Sequence, residues 1–264
     1  MDRDKLVKWL PWISTPVLLI VIVALWKLAT VVFNVSRFVL PPPDDVAATL
    51  VTLAAQPDVW LVHARITFVE TVAGFLFALV AGVGGGVILG RVFWLEVAVR
   101  PLVVAFQVIP KVALIPLLVI WFGFGLTSKI VIAAILAFFP IMLNVMLGVR
   151  SVEPGHREVM RSLDASRWQS FVTLDFPSTL PYVFAGMEVG IVFALIGAIV
   201  GEYLGGNEGL GYMVVVSLNA LDAPQLFAVI VLLAALGSLL YFAVSGLKRW
   251  LIPWHESVTL TALR

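Results

Sequence analysis

Long apolar runs alternate with short polar segments along the whole chain. The runs cover residues 16–33, 66–89, 97–122, 130–147, 181–204 and 226–246. Because a helix needs about 20 mostly apolar residues to cross a bilayer, each run predicts one transmembrane helix. The runs lack the alternating pattern of barrel strands, so helices are favoured. We expect an all-α, polytopic membrane protein with about six transmembrane helices, folded as a single domain over residues 1–264.

The first run follows a basic N-terminus, MDRDKLVKWLPW, which has the pattern of a secretory signal peptide. The run is long for the apolar region of a signal peptide, and no small-residue cleavage site follows it. We therefore expect a first span that is retained in the membrane.

The segment between the first two runs, PPPDDVAATLVTLAAQPDVW, opens with prolines and then Asp44 and Asp45. Acidic side chains at a helix start interact favourably with the helix dipole. The pattern predicts a short amphipathic helix on the outer surface.

Basic residues predict the orientation of the chain, because they concentrate in cytoplasmic loops. If the N-terminus is cytoplasmic, most of them fall on the cytoplasmic side: Arg3, Lys5, Lys8, Arg91, Arg100, Arg150, Arg157, Arg161, Arg167, Lys248, Arg249 and Arg264. Arg37, Arg65 and Lys129 fall outside, and Lys27 and Lys111 lie within spans. This imbalance predicts that both termini are cytoplasmic.

Composition narrows the function further. The chain is 61% hydrophobic and 12% charged, with a net charge of +1 and no cysteine. These values argue against nucleic-acid binding, thiolate metal sites and cysteine nucleophiles. The three histidines, His63, His156 and His255, are too scattered for a metal motif, so we expect no metal site. A nucleotide-binding P-loop is also missing, since the nearest string, GFGLTSKI at 123–130, lacks its second glycine and its final hydroxyl residue.

Glycines and prolines mark particular spans. Glycines at four-residue spacing form one face of the second span, and a similar face recurs in the fifth: Gly82, Gly86 and Gly90, then Gly186, Gly190, Gly197 and Gly201. Such faces allow close helix packing, which is either static or part of a sliding interface. In the third span Pro101, Pro110 and Pro116 each remove a backbone donor, which predicts a bent helix lining a pathway.

The longest polar segment, residues 150–177, lies between the fourth and fifth spans and is strongly basic. Its pattern predicts two short helices with a turn between them. In order it contains Glu158, then Asp164-Ala165-Ser166-Arg167-Trp168, then an apolar run that ends at Phe176-Pro177.

This order resembles the cytoplasmic coupling motif of ABC importer permeases, the inner-membrane components of binding-protein-dependent transport. In that motif Glu-Ala-Ala is followed by three residues, a glycine, a variable stretch and a hydrophobic-Pro pair. Glu158 matches, Val159 and Met160 replace the alanines, and Asp164 stands at the glycine position. Aspartate tolerates a left-handed turn and can cap the next helix, so the motif is retained.

Three further blocks resemble the subfamily of permeases for nitrate, taurine and alkanesulfonates. They are Leu40-Pro41-Pro42-Pro43, the central block IPKVALIPLLVIWFGFG at 109–125, and GEYLGGNEGLGYMV at 201–214. The resemblance therefore extends over nearly the whole chain and implies a type I ABC importer permease fold.

The resemblance also implies a role and partners. Residues for ATPase coupling would be Glu158, Arg161, Asp164, Ala165, Ser166, Arg167 and Trp168. Cytoplasmic ATP-binding subunits would carry ATP and Mg, so the chain itself would be neither catalytic nor cofactor-binding. A periplasmic or lipoprotein solute-binding protein, a second permease copy and membrane lipid would complete the assembly in the bacterial inner membrane. No nucleic acid is implied.

Ionisable groups inside spans are costly and are candidates for the transport pathway; here they are Glu70, Lys111, Glu188 and Glu202. Lys111, after Pro110, could face the pathway and attract an anionic solute, or it could snorkel to the interface or pair with Glu188 or Glu70. Glu202, near the outer end of the fifth span, could serve a gate or a docking surface, or simply be exposed at the interface.

The sequence leaves alternatives open for both the transported solute and the mode of action. The resemblance favours a small anion such as nitrate, taurine or an alkanesulfonate, but a neutral pyrimidine, a vitamin precursor or an aromatic acid fits the same machinery. An ATP-independent secondary transporter would leave the 150–177 segment without a purpose, and no inverted repeat is evident. An intramembrane enzyme would need a nucleophile with its base, or a metal cluster, inside a span.

Overall fold

The computed structural model describes residues 3–255, with side chains described from residue 14 onward. Predicted charges at Arg3, Lys5, Lys8 and Arg264 lie outside the described side chains. The described region is helical, with no β-strand between residues 3 and 255. Its α-helices are α1 (Arg3–Val32), α2 (Pro43–Ala54), α3 (Arg65–Arg91), α4 (Phe93–Val108), α5 (Ile115–Phe122), α6 (Leu126–Arg150), α7 (Pro154–Ser162), α8 (Arg167–Ser170), α9 (Phe176–Gly205), α10 (Leu210–Asn219) and α11 (Ala223–Leu251).

Five of the described helices, or helices with their immediate extensions, are long and apolar enough to cross a membrane, and counting α4 with α5 as a broken span makes six. The prediction of about six apolar spans is confirmed at this level. The predicted single span over 97–122 is wrong in shape, because α4 and α5 meet at an angle of 84°. We call α4 and α5 together the arm.

Only one of the three prolines in the arm causes its break. Pro101 lies inside α4 without interrupting it, and Pro116 occupies the first turn of α5, where its missing N–H is harmless. The chain becomes extended at Ile109, as expected for a residue before proline, and Pro110 then leads into a short 3₁₀ turn at Lys111–Leu114. The position of the break is therefore set by Pro110.

The centre of the fold is α6, which packs between α3 and α9. Both predicted glycine faces are turned toward it. A Cβ at Gly86 of α3 would lie 2.6 Å from the carbonyl oxygen of Met142, and one at Gly190 of α9 would lie 2.7 Å from Ile141. The glycines thus serve close packing within one chain. They are not free to form a contact between two copies.

The remaining helices pack around one end of this core. Buried side chains of α2, α10 and α11 form a second apolar cluster that includes Val46, Leu210 and Val229. The predicted short helix after the proline segment is confirmed as α2, with Asp44 and Asp45 in its first turn. The helix α10 was not predicted.

The first span lies against this cluster by a few contacts near its C-terminal end. Trp26 packs against Phe227 of α11 with ring centroids 5.7 Å apart. Lys27 donates a hydrogen bond to Asp44 of α2, which holds the pKa of that carboxyl below its usual range. Residues 14–23 of α1 are exposed throughout, as expected for a helix that faces lipid or another subunit.

Candidate functional site

The polar segment 150–177, which we call the coupling segment, contains two short helices joined by a tight turn. Asp164 adopts φ 50°, the left-handed conformation predicted for the glycine position. Ala165 N–H donates to the Met160 carbonyl and Asp164 N–H to the Arg161 carbonyl, the paired bonds of a Schellman helix end. The turn is therefore a well-formed helix terminus, although the residue at its left-handed position is aspartate.

The second helix of the coupling segment is capped by a residue other than the one expected. Ser166 is the N-cap of α8, and its hydroxyl accepts from the backbone N–H of Gln169 while the Gln169 side chain accepts from the backbone N–H of Ser166. This reciprocal pair is a capping box. The interpretation of Asp164 as the cap is thus wrong, because Ser166 already fills that position.

The coupling segment presents an uncovered surface with mixed character. Val159, Leu163 and Trp168 are 55%, 70% and 71% exposed. Glu158, Arg161 and Arg167 are exposed beside them, and none of the three forms an ion pair within the described part of the chain. Ala165 is half-buried under the turn. Exposed apolar side chains flanked by unpaired charges are the composition of a surface that binds a protein.

A cluster of ion pairs, not predicted from the sequence, joins the coupling segment to the core. Asp175 lies 3.3 Å from Arg157 of α7 and 3.6 Å from Arg91 at the end of α3. The Arg91 guanidinium also stacks over the Phe171 ring at 5.3 Å. We call these residues the joint, because they connect α7 to the end of α3.

A second ion cluster, also not predicted, fixes the start of the arm. Glu96 of α4 is buried and lies 2.8 Å from Arg150 at the end of α6, while Arg100 lies 2.6 Å away on the other carboxylate oxygen. Arg150 also donates to the carbonyl of Leu89. The start of the arm is therefore tied to α3 and α6 next to the coupling segment.

At the opposite end of the core, charged and polar side chains are buried between α3, α6 and α9. Glu202 of α9 is fully buried and accepts hydrogen bonds from the Thr67 hydroxyl at 2.6 Å and the Gly211 N–H at 2.6 Å. The alternative that Glu202 is exposed at the interface is therefore wrong. Glu202 instead holds the N-terminus of α10 against α3.

Glu70 and Lys129 complete this buried cluster. Lys129 Nζ lies 3.1 Å from Glu70 Oε1, and their side chains are 7% and 0% exposed. The Lys129 ammonium and the Glu70 carboxylate do not meet in hydrogen-bond geometry, so among the described residues their contact is an ion pair only. Glu202 lies directly beside Glu70. Glu70 is thus unavailable to Lys111, and Lys129, which the charge pattern placed outside, is buried.

The other predicted pathway residues lie in two different places. Glu188 of α9 faces Lys248 of α11 at 3.4 Å, so it is not the partner of Lys111. Ile109 and Lys111, on either side of Pro110, border a cavity of about 900 Å³ between the arm, α3 and α6, which we call the arm cavity. Lys111 Nζ lies 5.4 Å from the ring centroid of Phe139. The structure therefore separates Lys111 from both Glu188 and Glu202.

Residues 74–256 match the family described as the binding-protein-dependent transport system inner membrane component. The chain belongs to this family. The match begins within α3 and includes the arm, the coupling segment, Lys129 and Glu202, whereas Thr67 and Glu70 of the buried cluster lie just before it.

Curated relatives extend the match to almost the whole permease. The riboflavin transport system permease protein RibX of Chloroflexus aurantiacus is 33% identical over 94% of this chain and 92% of its own length. The formylaminopyrimidine transport permease protein ThiX of Halalkalibacterium halodurans is 33% identical over 90% of this chain and 94% of its own. The taurine transport system permease protein TauC of Escherichia coli is 30% identical over 93% and 90%.

A solved structure shows the same fold. A chain of the inward-facing MetNI methionine ABC transporter superposes with a TM-score of 0.60 at 24% identity, covering 72% of this chain and 93% of that one. Together with this fold, the family match and the curated relatives make the permease a multi-pass inner-membrane protein and the membrane-spanning subunit of an ABC importer.

Proposed function

We propose that the permease forms half of a solute pathway whose opening is driven by an ATPase subunit docked on the coupling segment. The observation that carries this proposal is the surface around Val159, Leu163 and Trp168, which is apolar, exposed and flanked by unpaired charges. A short helix transmits force only if a complementary surface holds it. Such a surface on a cytoplasmic ATPase would cover these side chains and pair Glu158, Arg161 and Arg167.

The two ion clusters near the coupling segment supply the route by which its movement reaches the membrane. Asp175 of the joint links α7 to α3, and Glu96 links α6 to the arm. A movement of α7 would therefore pull on α3 through Asp175, and a movement of the end of α6 would pull on the arm through Arg150. Reversing a two-state equilibrium from 1:99 to 99:1 takes about 5.5 kcal/mol of differential binding. Closure of an ATP-bound ATPase dimer would supply that differential, so the permease itself needs no nucleotide site.

The proposed assembly contains two copies of the permease, two ATPase subunits and a solute-binding protein. Both termini and the coupling segment lie in the cytoplasm in this proposal, as the distribution of basic residues predicts. The α10 end then faces the solute-binding protein. The exposed apolar surface of α1, and that of the arm outside the arm cavity, would contact the second copy and membrane lipid.

Two classes of solute are supported by different observations. Lys111, a cation without a counterion in the described structure, supports a small anion such as nitrate, taurine or an alkanesulfonate. The 33% identity to permeases named for riboflavin and formylaminopyrimidine supports a solute with an aromatic ring. Both classes are compatible with ATP-driven import.

The proposed coupling is tested with the complete importer in proteoliposomes. In Glu158→Ala and Arg167→Glu, we expect ATP-dependent uptake to fall about tenfold, which corresponds to the loss of one interfacial charge contact. The ATPase would continue to hydrolyse ATP, and the variants would stay folded. Arg249→Glu, at an exposed arginine on the predicted cytoplasmic end of α11, is the matched control and should leave uptake unchanged. Wild-type uptake by both coupling variants would refute the proposal.

A further inference from the structure

The arm cavity has the walls of a site for a ring-bearing molecule. Its volume of about 900 Å³ is typical of small-molecule sites, which span roughly 300–1,000 Å³. Aromatic side chains reach it from every bordering helix: Phe77 of α3, Phe106 and Trp121 of the arm, and Phe138 and Phe139 of α6.

The aromatic walls are already arranged in the two geometries that rings prefer. Phe106 and Phe139 are stacked with centroids 6.2 Å apart and planes at 26°, and Phe138 meets Phe139 edge-on at 5.0 Å and 79°. A planar ligand placed beside these rings would extend an existing stack.

One cation borders these apolar walls. Lys111 supplies the charge, and among the described residues that line the cavity no other side chain is ionisable. Its ammonium faces the Phe139 ring and has no carboxylate within ion-pair distance in the described structure. An ammonium beside an apolar cavity has unmet hydrogen-bonding capacity, and a carbonyl or carboxylate oxygen on a ligand would satisfy it.

We propose that the arm cavity binds the transported solute, and that this solute is a planar aromatic or heteroaromatic compound with an oxygen acceptor that contacts Lys111. The inference rests on the proposed function. A small, fully polar solute such as nitrate or taurine fits the cavity poorly, because it would lose its hydration against apolar walls and gain a single ammonium contact. A lipid acyl chain would fill the walls but leave Lys111 without an acceptor.

Direct binding to the permease–ATPase complex in nanodiscs tests the proposal without the solute-binding protein. Equilibrium dialysis would compare radiolabelled riboflavin, a planar ring system with carbonyl oxygens, with radiolabelled taurine. We expect riboflavin to bind and taurine not to bind. Lys111→Ala should weaken binding about tenfold, and Lys111→Arg should restore most of it. Phe139→Leu, which removes one aromatic wall, should weaken binding about fivefold.

A matched control uses a phenylalanine outside the cavity. Phe33 lies just beyond the end of α1 and is 76% exposed, so Phe33→Leu should leave binding unchanged. Absence of riboflavin binding, tighter binding of taurine, or equal binding by wild type, Lys111→Ala and Phe139→Leu would each overturn the proposal.

A measurement of uptake in proteoliposomes distinguishes failure of the aromatic site from failure of the proposed function. ATP-driven uptake of taurine alone would overturn only the aromatic site, whereas ATP-independent uptake would overturn the ATP-driven import on which it rests.

Discussion

The core and the arm of the permease differ in how tightly they are held. In the core, α3 and α9 approach α6 so closely that glycine is the residue that fits at Gly86 and Gly190. The arm is tied at its start by Glu96 and packs at its far end through Ile115 and Leu118 against α6, but a cavity of about 900 Å³ separates its middle from the core.

The difference in packing between core and arm indicates which part of the permease can move. A close-packed interface lined by glycine resists displacement, because any shift brings backbone against side chain. The arm has a break at Pro110 and exposed apolar surface, so fewer contacts oppose its movement, chiefly the ion pairs of Glu96 and the packing of Ile115 and Leu118 against α6. We therefore expect the core to act as a frame and the arm to be the element that moves during transport.

The severest way to break the core is to remove one member of its buried ion pair. Lys129→Met leaves the buried Glu70 carboxylate without its cation and beside Glu202, and we expect a loss of about 3–5 kcal/mol in the free energy of unfolding. Thermal unfolding in detergent, followed by circular dichroism, would measure the loss.

The matched test for that pair replaces both charges. The double variant Glu70→Ala/Lys129→Met should recover much of the stability lost in Lys129→Met, since the one carboxylate that remains, Glu202, is held by hydrogen bonds from Thr67 and Gly211. A double variant less stable than either single variant would show that the two charges do not stabilise each other across α3 and α6.

Close packing of the core is tested next by two glycines on the same helix. Gly86→Val places a side chain against Met142 and Val145, and should cost about 1–3 kcal/mol. Gly84→Val is the control, because a Cβ there meets no atom within 4 Å. Equal unfolding temperatures for the two variants would contradict the tight contact between α3 and α6.

A smaller effect is expected when the ion pairs that hold the start of the arm are weakened. Glu96→Gln weakens the contacts with Arg150 and Arg100, and should speed hydrogen exchange of amides in α4 by about fivefold, or about 1 kcal/mol. Amides of α6 within 130–142 should not change. Glu208→Gln, at an exposed glutamate, is the control. Uniform acceleration in α4 and α6 would show that arm and core open together.

The smallest predicted effect concerns the turn of the coupling segment, which differs from both core and arm in being stabilised by local bonds. Asp164→Gly should leave stability unchanged or raise it by up to about 1 kcal/mol, because glycine adopts φ 50° without the steric cost of a side chain. Asp164→Val should lower stability. Differential scanning fluorimetry would compare the two, and a marked loss in Asp164→Gly would show that the aspartate side chain stabilises the turn.

What the sequence predicts well are features that depend on neighbours along the chain. An apolar run of the right length forms a spanning helix whatever packs beside it, and the left-handed turn at Asp164 is determined by its position between two helices. The break in the arm was predicted only as a bend, since Pro101, Pro110 and Pro116 carry the same local signal and their surroundings decide which one interrupts the helix.

What the sequence does not predict are contacts between distant helices. The sequence shows both glycine faces, but it does not show that α6 packs against both of them. Glu202 was misplaced because its partners, Thr67 and Gly211, lie on other elements. The pairs Glu96–Arg150 and Asp175–Arg91 carry no sequence signal beyond the presence of charge near span ends.

The central claim is that an ATPase subunit docks on the coupling segment, and the absence of cysteine from the chain allows a direct measurement. Val159→Cys places a single thiol on α7, whereas Ala220→Cys places one just beyond α10, which is separated from the coupling segment by α9, a 30-residue helix about 45 Å long. Treating the assembled importer with a thiol-to-amine crosslinker should give a permease–ATPase adduct with Val159→Cys and none with Ala220→Cys. An adduct from Ala220→Cys, or none from Val159→Cys in an importer that transports, would contradict the account.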